Sequence, residues 1–508
     1  MQNYYSIIDI GSNTMRLVIY ARENSGRLHE VENIKIVARL SEHLDKDNML
    51  TEEGQNILIN NLKSFEEVTE SYHLIETVCI ATAAIRQAEN QEKIKHDIKE
   101  QIGWNLRILP GDQEAFYGYL AVVNSTSIKE GITVDIGGGS TEVTYFKDRK
   151  LVESHSFPFG ALTLKEYYSK NNSSEKGRME LRRYVAGQLQ ALPWIKDKEV
   201  PLIGIGGSAR NMAQIDQNIK RYPLAGLHQY KMNDSDISRI SSYLSSLSLA
   251  KRQKVEGLSK DRADSILPAV DVFHCIYEEI QATCFVLSRK GLRDGVLYEQ
   301  LFQKLEQPVL PDVLKNSMSE LVNDFNRSSQ QIIHVHHLLQ KIFKAFQLKG
   351  IGSLTKQDWS MLELAEHVYY LGKYIDSESS AQHTFYLLAN RSIDGLMHRD
   401  RIRLALIGSF KSKTVFKQFL EPYKDWFLKE ERKKLRLLGA LLKFSFSLDA
   451  TKRQVVQDID LEFKKDGLLL TLYCNKDYIP EEYQAEKQKK HLEKALNTRI
   501  LLSFTSLS

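Results

Sequence analysis

The chain has 508 residues, of which 42% are hydrophobic and 26% are charged, and its formal net charge is +4 at pH 7. At about 100–200 residues per domain, this length predicts three or four domains, and the composition excludes a disordered or fibrous protein. The apolar runs are short, the start has no signal-peptide pattern, and the four cysteines are scattered without a CxxC pair. We therefore expect a cytoplasmic protein without a transmembrane segment.

The first part of the chain alternates predicted strands and helices. Three apolar runs predict strands at 4–10, 15–21 and 28–38. A helix is predicted from Thr51, a strand at 76–81 and a second helix from Asp112. Three more strands are then predicted at 131–136, 142–146 and 150–157, and another at 202–205.

A motif near the start of the chain is repeated within the second group of predicted strands. Asp9-Ile10-Gly11-Ser12-Asn13-Thr14 matches Asp135-Ile136-Gly137-Gly138-Gly139-Ser140-Thr141, and both segments form the turn between two predicted strands. An internal repeat of this kind predicts two similar lobes that face each other.

The composition changes around residues 307–311. Residues 312–446 have helical periodicity, and the alternating pattern at 459–472 predicts a hairpin that precedes a helix at 480–496. From Arg401 to Lys443 the chain has 12 basic and 4 acidic residues. Such an excess can hold a polyanion, although a solvated helix face is the commoner reading of charge alone.

The two matching turns have the composition of phosphate-binding loops. Glycines after a strand leave successive backbone N–H groups unobstructed, and these groups form a concave anion site. Side-chain donors are added by Ser12, Asn13, Ser140 and Thr141, and Gly206-Gly207-Ser208 repeats the arrangement before a helix. One such turn is usually only a tight β-turn, but two matching copies and this third turn favour phosphate binding.

Carboxylates accompany these turns. Asp9 and Asp135 end the preceding strands and Glu142 follows the second turn, so the three predict a Mg²⁺ site. Taken alone, Glu114 near a helix start is a partner for the helix dipole. Arg86 alone is a surface arginine, although its guanidinium fork suits a phosphate.

Together these motifs resemble the exopolyphosphatase/guanosine-pentaphosphate phosphohydrolase (Ppx/GppA) family. The matching segments occur in the family's order over roughly the first 300 residues. They are DIGSNTMRLVI, ATAAIRQA, GDQEA, VDIGGGSTEV, FPFGALTL, GIGGSARNMA, GLSKDRAD and GLRDGVLYE.

The resemblance implies an α/β half with two actin-like lobes of the ribonuclease-H type, at residues 1–124 and 125–307, and an active site in the cleft between them. It implies that Glu114 is the base that activates the attacking water. It also implies a phosphate and metal site that contains Asn13, Arg86, Asp135, Gly137, Gly138, Ser140 and Glu142. Gln113 replaces an acid of the family's glutamate motif, which removes a neighbouring charge but not the base.

The C-terminal part is similar to the long members of the family, which add an all-α domain similar to HD phosphohydrolases, here at 312–446. His334, His336 or His337 would occupy its first ligand position, but Val368-Tyr369-Tyr370 stands where the His-Asp pair is expected. Since tyrosines are poor Mg²⁺ ligands, we expect no metal in this domain. Residues 447–508 would form a small α+β domain.

We therefore predict a processive exopolyphosphatase that uses Mg²⁺ or Mn²⁺, forms a homodimer and binds no nucleic acid. The same chemistry on guanosine pentaphosphate (pppGpp) is the alternative. A non-catalytic sensor of polyphosphate or (p)ppGpp is an alternative of another class, against which Glu114 argues. The order of the motifs argues against a sugar or acetate kinase of the same superfold. The predicted polyphosphate-holding residues are Lys411, Lys413, Lys417, Arg432, Lys433, Lys434 and Arg436.

Overall fold

The computed structural model describes residues 3–23, 26–170, 175–302, 308–325, 328–464 and 467–507. Two compact units make up the chain. The first contains Met1–Tyr222 and Gly226–Asn316, and the second contains Pro223–Ala225 and Ser317–Ser508. The division into four domains, at 1–124, 125–307, 312–446 and 447–508, stays a prediction.

The first lobe of the first unit has a five-stranded sheet. Its strands are β1 (Asn3–Ile10), β2 (Thr14–Arg22), β3 (Leu28–Val37), β4 (Leu74–Ala81) and β5 (Leu106–Ile108). They lie in the order β3-β2-β1-β4-β5, in which β1, β2 and β3 form an antiparallel meander and β4 and β5 extend the sheet in parallel.

Four α-helices lie in this stretch of the chain. They are α1 (Glu52–Glu70), α2 (Ala83–Gln87), α3 (Gln91–Ile102) and α4 (Gly111–Val123). The side chain of Thr51 caps α1 by accepting from the backbone N–H of Gly54 at 3.2 Å. Leu58, Leu62 and Phe65 recur on one face of α1 and are buried in the core of the lobe.

The second lobe repeats this plan. Its strands are β6 (Gly131–Ile136), β7 (Thr141–Lys147), β8 (Lys150–Phe157), β9 (Leu202–Ile205), β10 (Lys231–Met232) and β11 (Phe285–Leu287). Its helices are α5 (Ala161–Lys170), α6 (Glu175–Leu189), α7 (Gly206–Lys220), α8 (Asp234–Ser245), α9 (Leu249–Arg252), α10 (Ile266–Glu279) and α11 (Leu292–Leu301).

The order of the second sheet is β10-β11-β9-β6-β7-β8. Read from the other edge, β8-β7-β6-β9-β11 corresponds strand for strand to β3-β2-β1-β4-β5, with the same antiparallel meander and parallel extension. The predicted pair of actin-like lobes is thus confirmed by the topology, and β1 and β6 are equivalent central strands.

The second unit is helical, with a small sheet near its C-terminus. Its helices are α12 (Val313–Asp324), which begins in the first unit, α13 (Ser329–Leu348), α14 (Lys356–Val368), α15 (Ser380–Asn390), α16 (His398–Gly408), α17 (Lys413–Leu420), α18 (Lys429–Ser447) and α19 (Ile479–Leu496). The sheet has the order β12 (Val456–Lys464), β13 (Gly467–Cys474) and β14 (Ile500–Ser506). The predicted hairpin β12–β13 and helix α19 are confirmed, whereas β14, parallel to β13, was not predicted.

Within the described ranges, no helix combines the length and the apolar character needed to cross a bilayer. The four cysteines are all buried and free of disulfides.

Candidate active site

The two predicted glycine turns have the same local geometry. The backbone N–H of Gly11 donates to the carbonyl of Thr14 at 3.0 Å, and that of Gly137 donates to the carbonyl of Ser140 at 2.9 Å. A Cβ at Gly11 would lie 3.1 Å from the carbonyl oxygen of Thr14, and one at Gly137 would lie 3.2 Å from that of Ser140. Any other residue would therefore crowd either turn.

The two turns also lie against each other. A Cβ at Gly138 would be 3.3 Å from the Cβ of Ser12, and one at Gly139 would be 3.4 Å from the Oγ of Ser12. Both turns line one cleft of about 400 Å³, together with Asn13. The internal repeat thus places two sets of backbone and side-chain donors around a single space in the first unit.

A third glycine turn completes this wall. Gly206 has a φ of +82° and begins α7, and a Cβ at this position would overlap the Oδ1 of Asp135. A Cβ at Gly207 would overlap the guanidinium of Arg262. Ser208 lies behind the cleft, where its buried hydroxyl accepts from Arg262 at 3.5 Å. Glycine at 206 and 207 therefore lets a carboxylate and a guanidinium approach the start of the helix.

Glu114 is positioned by the first turn of α4. Its Oε2 accepts from the Nη1 of Arg86 at 2.8 Å, and the Nη2 of Arg86 points to the Oγ of Ser140 at 3.5 Å. Burial raises the pKa of Glu114 to about 7; Arg86 opposes this shift, and the negative charges of Asp135 and Asp9 add to it. A carboxylate with a pKa near neutrality matches what a general base requires.

Asp135 and Glu142 are cross-strand partners on β6 and β7. Burial raises the pKa of Asp135 to about 6, and Asp9 adds to the shift while Arg293 opposes it. Burial and the charge of Glu114 also raise the pKa of Glu142, whose Oε1 accepts from the hydroxyl of Ser156 at 2.9 Å. Each of these carboxylates thus repels another, and a bound cation would relieve that repulsion.

The carboxylates do not form a complete metal cage. Among the residues that the structure describes, no three His, Cys, Asp or Glu side chains converge as ligands. Asp9, Glu114 and Asp135 line the cleft, whereas Glu142 is 3% exposed and lies behind its surface. This arrangement fits Mg²⁺, which usually takes one or two carboxylates and completes its shell with water and phosphate oxygens.

A family model matches this part of the chain. The model of the Ppx/GppA phosphatase family covers residues 18–304, which is more than half of the 508 residues. The chain belongs to the Ppx/GppA phosphatase family. It is therefore a phosphatase of the hydrolase class, and the resemblance inferred from its motifs is confirmed.

Solved structures of Ppx/GppA proteins are also similar to this chain. A Ppx/GppA family member from Aquifex aeolicus is 25% identical, with a TM-score of 0.55, and the match covers 60% of this chain and all of that one. A second structure of the Aquifex aeolicus enzyme is 26% identical, with a TM-score of 0.52, and covers 58% and 99%. An exopolyphosphatase from Cytophaga hutchinsonii is 21% identical, with a TM-score of 0.52 and coverage of 59% and 98%, and it supports the fold.

The cleft of this Ppx/GppA phosphatase also contains basic side chains that the sequence analysis did not single out. They are Arg16, Lys35, Arg210, Arg262, Arg289 and Arg293. Burial lowers the pKa of Arg16 to about 10, with repulsion from Arg293 and Arg210, and burial and neighbouring arginines lower that of Arg210. Arg16, Arg210, Arg262 and Arg293 each lie in one of the family segments quoted above. Their position in these segments was the signal in the sequence that could have identified them as cleft residues.

Two ion pairs connect the lobes across the cleft. The Nη1 of Arg293 on α11 lies 2.6 Å from the Oδ2 of Asp9 at the end of β1. The Nζ of Lys35 on β3 lies 2.7 Å from the Oδ2 of Asp261. Asp9, predicted as a metal ligand, is thus paired with an arginine of the other lobe.

Five of the predicted polyphosphate-holding residues line one groove of the second unit. They are Lys413, Lys417, Arg432, Lys433 and Arg436. Lys434 instead pairs with Asp358 at 3.0 Å, and the backbone carbonyl of Lys411 accepts from Lys443. The charge of Lys434 is therefore balanced within the fold.

The predicted HD-like region contains a pair of a half-buried histidine and a buried glutamate. The Nδ1 of His336 lies 2.8 Å from the Oε1 of Glu366, which is 2% exposed and whose pKa burial raises to about 8. The sequence analysis named His336 but missed Glu366, which lies three residues before Tyr369. The relation of this region to HD phosphohydrolases stays a prediction.

Proposed function

We propose that the protein is an exopolyphosphatase that removes the terminal phosphate of inorganic polyphosphate in the cleft of the first unit. The observation that carries this proposal is the position of Glu114. Its carboxylate has a pKa near 7 and stands next to Arg86, in a cleft lined by two facing glycine turns.

Glu114 accepts a proton from a water molecule while the water oxygen forms a bond to the terminal phosphorus. The bond from that phosphorus to the bridging oxygen breaks, so that orthophosphate and a chain shortened by one phosphate leave. The protein forms no covalent bond to the transferred phosphoryl group in this step. Catalysis therefore depends on positioning the water and the phosphate and on neutralising the charge of the transition state.

The turns and Arg86 hold the transferred group. The backbone N–H of Gly138 and the side chains of Ser12, Asn13 and Ser140 donate to its oxygens, and Gly137 shapes the turn, since its own N–H is bonded to the carbonyl of Ser140. The guanidinium of Arg86 reaches Ser140 and Glu114, so it stands where it can hold a phosphate oxygen beside the base. Gly207 and Ser208 supply the start of α7, whose helix dipole favours an anion.

Asp135 and Asp9 would hold a divalent cation, with Glu142 behind them. Mg²⁺ or Mn²⁺, when bound, supplies positive charge to the phosphate oxygens. After burial, the charge of Asp9 raises the pKa of Glu114 and Asp135, and that of Asp135 raises the pKa of Glu114 and Glu142, which supports a cation between these carboxylates.

The arginines of the cleft support a substrate with several consecutive phosphates. Arg210, Arg262 and Arg289 line the cleft, and Arg289 and Arg262 both repel Arg210, so a chain of negative charges between them would be bound favourably. The same residues can bind the phosphates of pppGpp, which is therefore the second candidate substrate. The homodimer and the cytoplasmic location stay predictions.

The test is phosphate release from long polyphosphate, tripolyphosphate, pppGpp and ATP, each with and without Mg²⁺ or Mn²⁺. The proposal predicts metal-dependent release that is fastest from polyphosphate. Faster release from pppGpp would select the second candidate, and binding without release from any of the four would indicate a sensor.

A further inference from the structure

The helix that carries Glu114 lies where the two lobes meet. In the chain, α4 follows the strands of the first lobe, but it packs against β7 and β8 of the second lobe. A Cβ at Gly111, the first residue of α4, would overlap the Cβ of Ser156 on β8. The place of the Glu114 carboxylate in the cleft therefore depends on what fixes α4 relative to the first lobe.

A second helix, α11, connects α4 with the first lobe. It packs against both α4 and β1, and its Arg293 pairs with Asp9 at the end of β1 at 2.6 Å. Gly295 lies so close to α4 that a Cβ there would overlap the backbone carbonyl of Tyr117. Glu299 lies one turn further on the same face of α11, since residues four apart in a helix share a face. Thus α11 joins a carboxylate of the cleft to the helix that carries the proposed base.

Four side chains form a hydrogen-bonded network where α4, α11 and β5 meet. The hydroxyl of Tyr117 donates to the Oε2 of Glu299 at 2.7 Å, and the Nη1 of Arg107 on β5 lies 3.2 Å from the same oxygen. The Nη2 of Arg107 donates to the hydroxyl of Tyr117, and it also donates to the Oε1 of Gln113 at 3.3 Å. Because Gln113 and Tyr117 lie in successive turns of α4, the network holds this helix at two points.

The network lies outside the cleft. The side chain of Tyr117 is fully buried, and the guanidinium of Arg107 lies 5.3 Å from the centre of its ring. Burial and Glu299 raise the pKa of Tyr117, which keeps its hydroxyl protonated as a donor. Among the described residues that line the cleft, none belongs to this network. Its effect on the reaction is therefore exerted through the position of α4 rather than through contact with the substrate.

We propose that Glu299 is a positioning residue, which by accepting from Tyr117 fixes α4 so that the carboxylate of Glu114 faces the attacking water. This role rests on the proposed function, in which Glu114 is the general base. A general base must lie within hydrogen-bond reach of its proton donor, at about 2.6–3.2 Å. A displacement of about 1 Å is enough to lower a rate about 100-fold. Loss of the link should therefore lower kcat without weakening substrate binding.

The test measures the kinetics of full-length variants on the substrate that the wild type hydrolyses fastest among long polyphosphate, tripolyphosphate, pppGpp and ATP. Glu299→Ala removes the acceptor of the Tyr117 hydroxyl, and Glu299→Gln keeps an oxygen in its place. Tyr117→Phe removes the same hydrogen bond from the other side and keeps the ring. Thermal unfolding verifies that each variant is folded, and Tyr117→Phe gives a second measurement if Glu299→Ala does not fold.

The matched control is a second tyrosine–glutamate pair of the same unit. The Oε1 of Glu130 accepts from the hydroxyl of Tyr145 on β7 at 2.6 Å. The side chains of Glu130 and Glu299 are similarly exposed, at 35% and 32%. Glu130→Ala therefore removes an equivalent hydrogen bond that is not made to α4.

Glu299→Ala and Tyr117→Phe are expected to lower kcat at least about tenfold with an unchanged KM, while Glu130→Ala remains near the wild type. Glu299→Gln should restore most of the loss. Combined with Glu114→Gln, Glu299→Ala should lower kcat no further, because the base that it positions is already absent.

Two results would overturn this role. One is an unchanged kcat in folded Glu299→Ala, and the other is an equal loss whether Glu114 is present or replaced by glutamine. The second result would show that Glu299 supports the fold in general rather than the base. If the wild type releases no phosphate from any of the four substrates, the proposed function fails and this role fails with it, whereas the two results above leave the proposed function intact.

Discussion

The Nη1 of Arg86 lies 2.8 Å from the Oε2 of Glu114 and also 2.8 Å from the backbone carbonyl of Leu109. The carbonyl fixes the guanidinium, and the guanidinium in turn holds the carboxylate at the start of α4. Burial alone would raise the pKa of Glu114 further, and Arg86 keeps it near neutrality.

This relationship predicts a pH dependence. A general base acts when it is deprotonated, so kcat/KM should fall as the pH drops through about 7, where the carboxyl of Glu114 takes up a proton. Replacing Arg86 by methionine removes the charge that lowers this pKa. The rise of kcat/KM with pH, called the ascending limb of the pH profile, should therefore move to higher pH. Arg183→Met, at an exposed arginine of the other lobe, should leave the limb in place. A limb that stays or moves to lower pH in Arg86→Met would contradict the assigned coupling.

A second prediction concerns the divalent cation. Asp135→Asn or Glu142→Gln should raise the Mg²⁺ concentration that gives half of the maximal rate, because each removes negative charge from the carboxylate cluster. Asp148→Asn, at an exposed position of the same lobe, provides the control. A Mg²⁺ titration that is the same in all three variants would show that these two carboxylates do not hold the metal.

A third prediction concerns the arginines of the cleft. Arg210→Met or Arg262→Met should raise the KM for polyphosphate by roughly 10-fold or more, since a hydrogen bond to a charged group contributes about 1.5–3 kcal/mol. Unfolding experiments should show that both variants remain folded, with Arg183→Met again as the control. An unchanged KM would show that the polymer does not contact Arg210 or Arg262.

Local sequence patterns were sufficient to predict both lobes. Thr51 marked the start of α1, and the matching glycine turns revealed the repeat that the two sheets confirm. These features are encoded by residues close together in the chain, where periodicity and turn chemistry act. In contrast, β14 is a strand because it pairs in parallel with β13 across α19, which is a long-range contact without a local signal.

The same distinction holds for the site. Glu114, Asp135 and the glycine turns lie in motifs and were named from the sequence, although their roles stay predictions. Arg16 and Arg293 also lie in family segments, but these segments are far apart in the chain and do not show that both side chains enter one cleft. The pairing of Lys35 with Asp261 joins residues more than 200 positions apart and is visible only in the fold.

The most direct test of the account is the turnover of Glu114→Gln on long polyphosphate, measured as orthophosphate release, beside its equilibrium binding of the same polymer. Asp112→Asn, which removes an exposed acid from the same helical turn, is the matched control. We predict that Glu114→Gln binds the polymer as the wild type does but loses at least about 100-fold in kcat, the lower range for removal of a general base, while Asp112→Asn remains near normal. Near-normal turnover by Glu114→Gln would contradict the account.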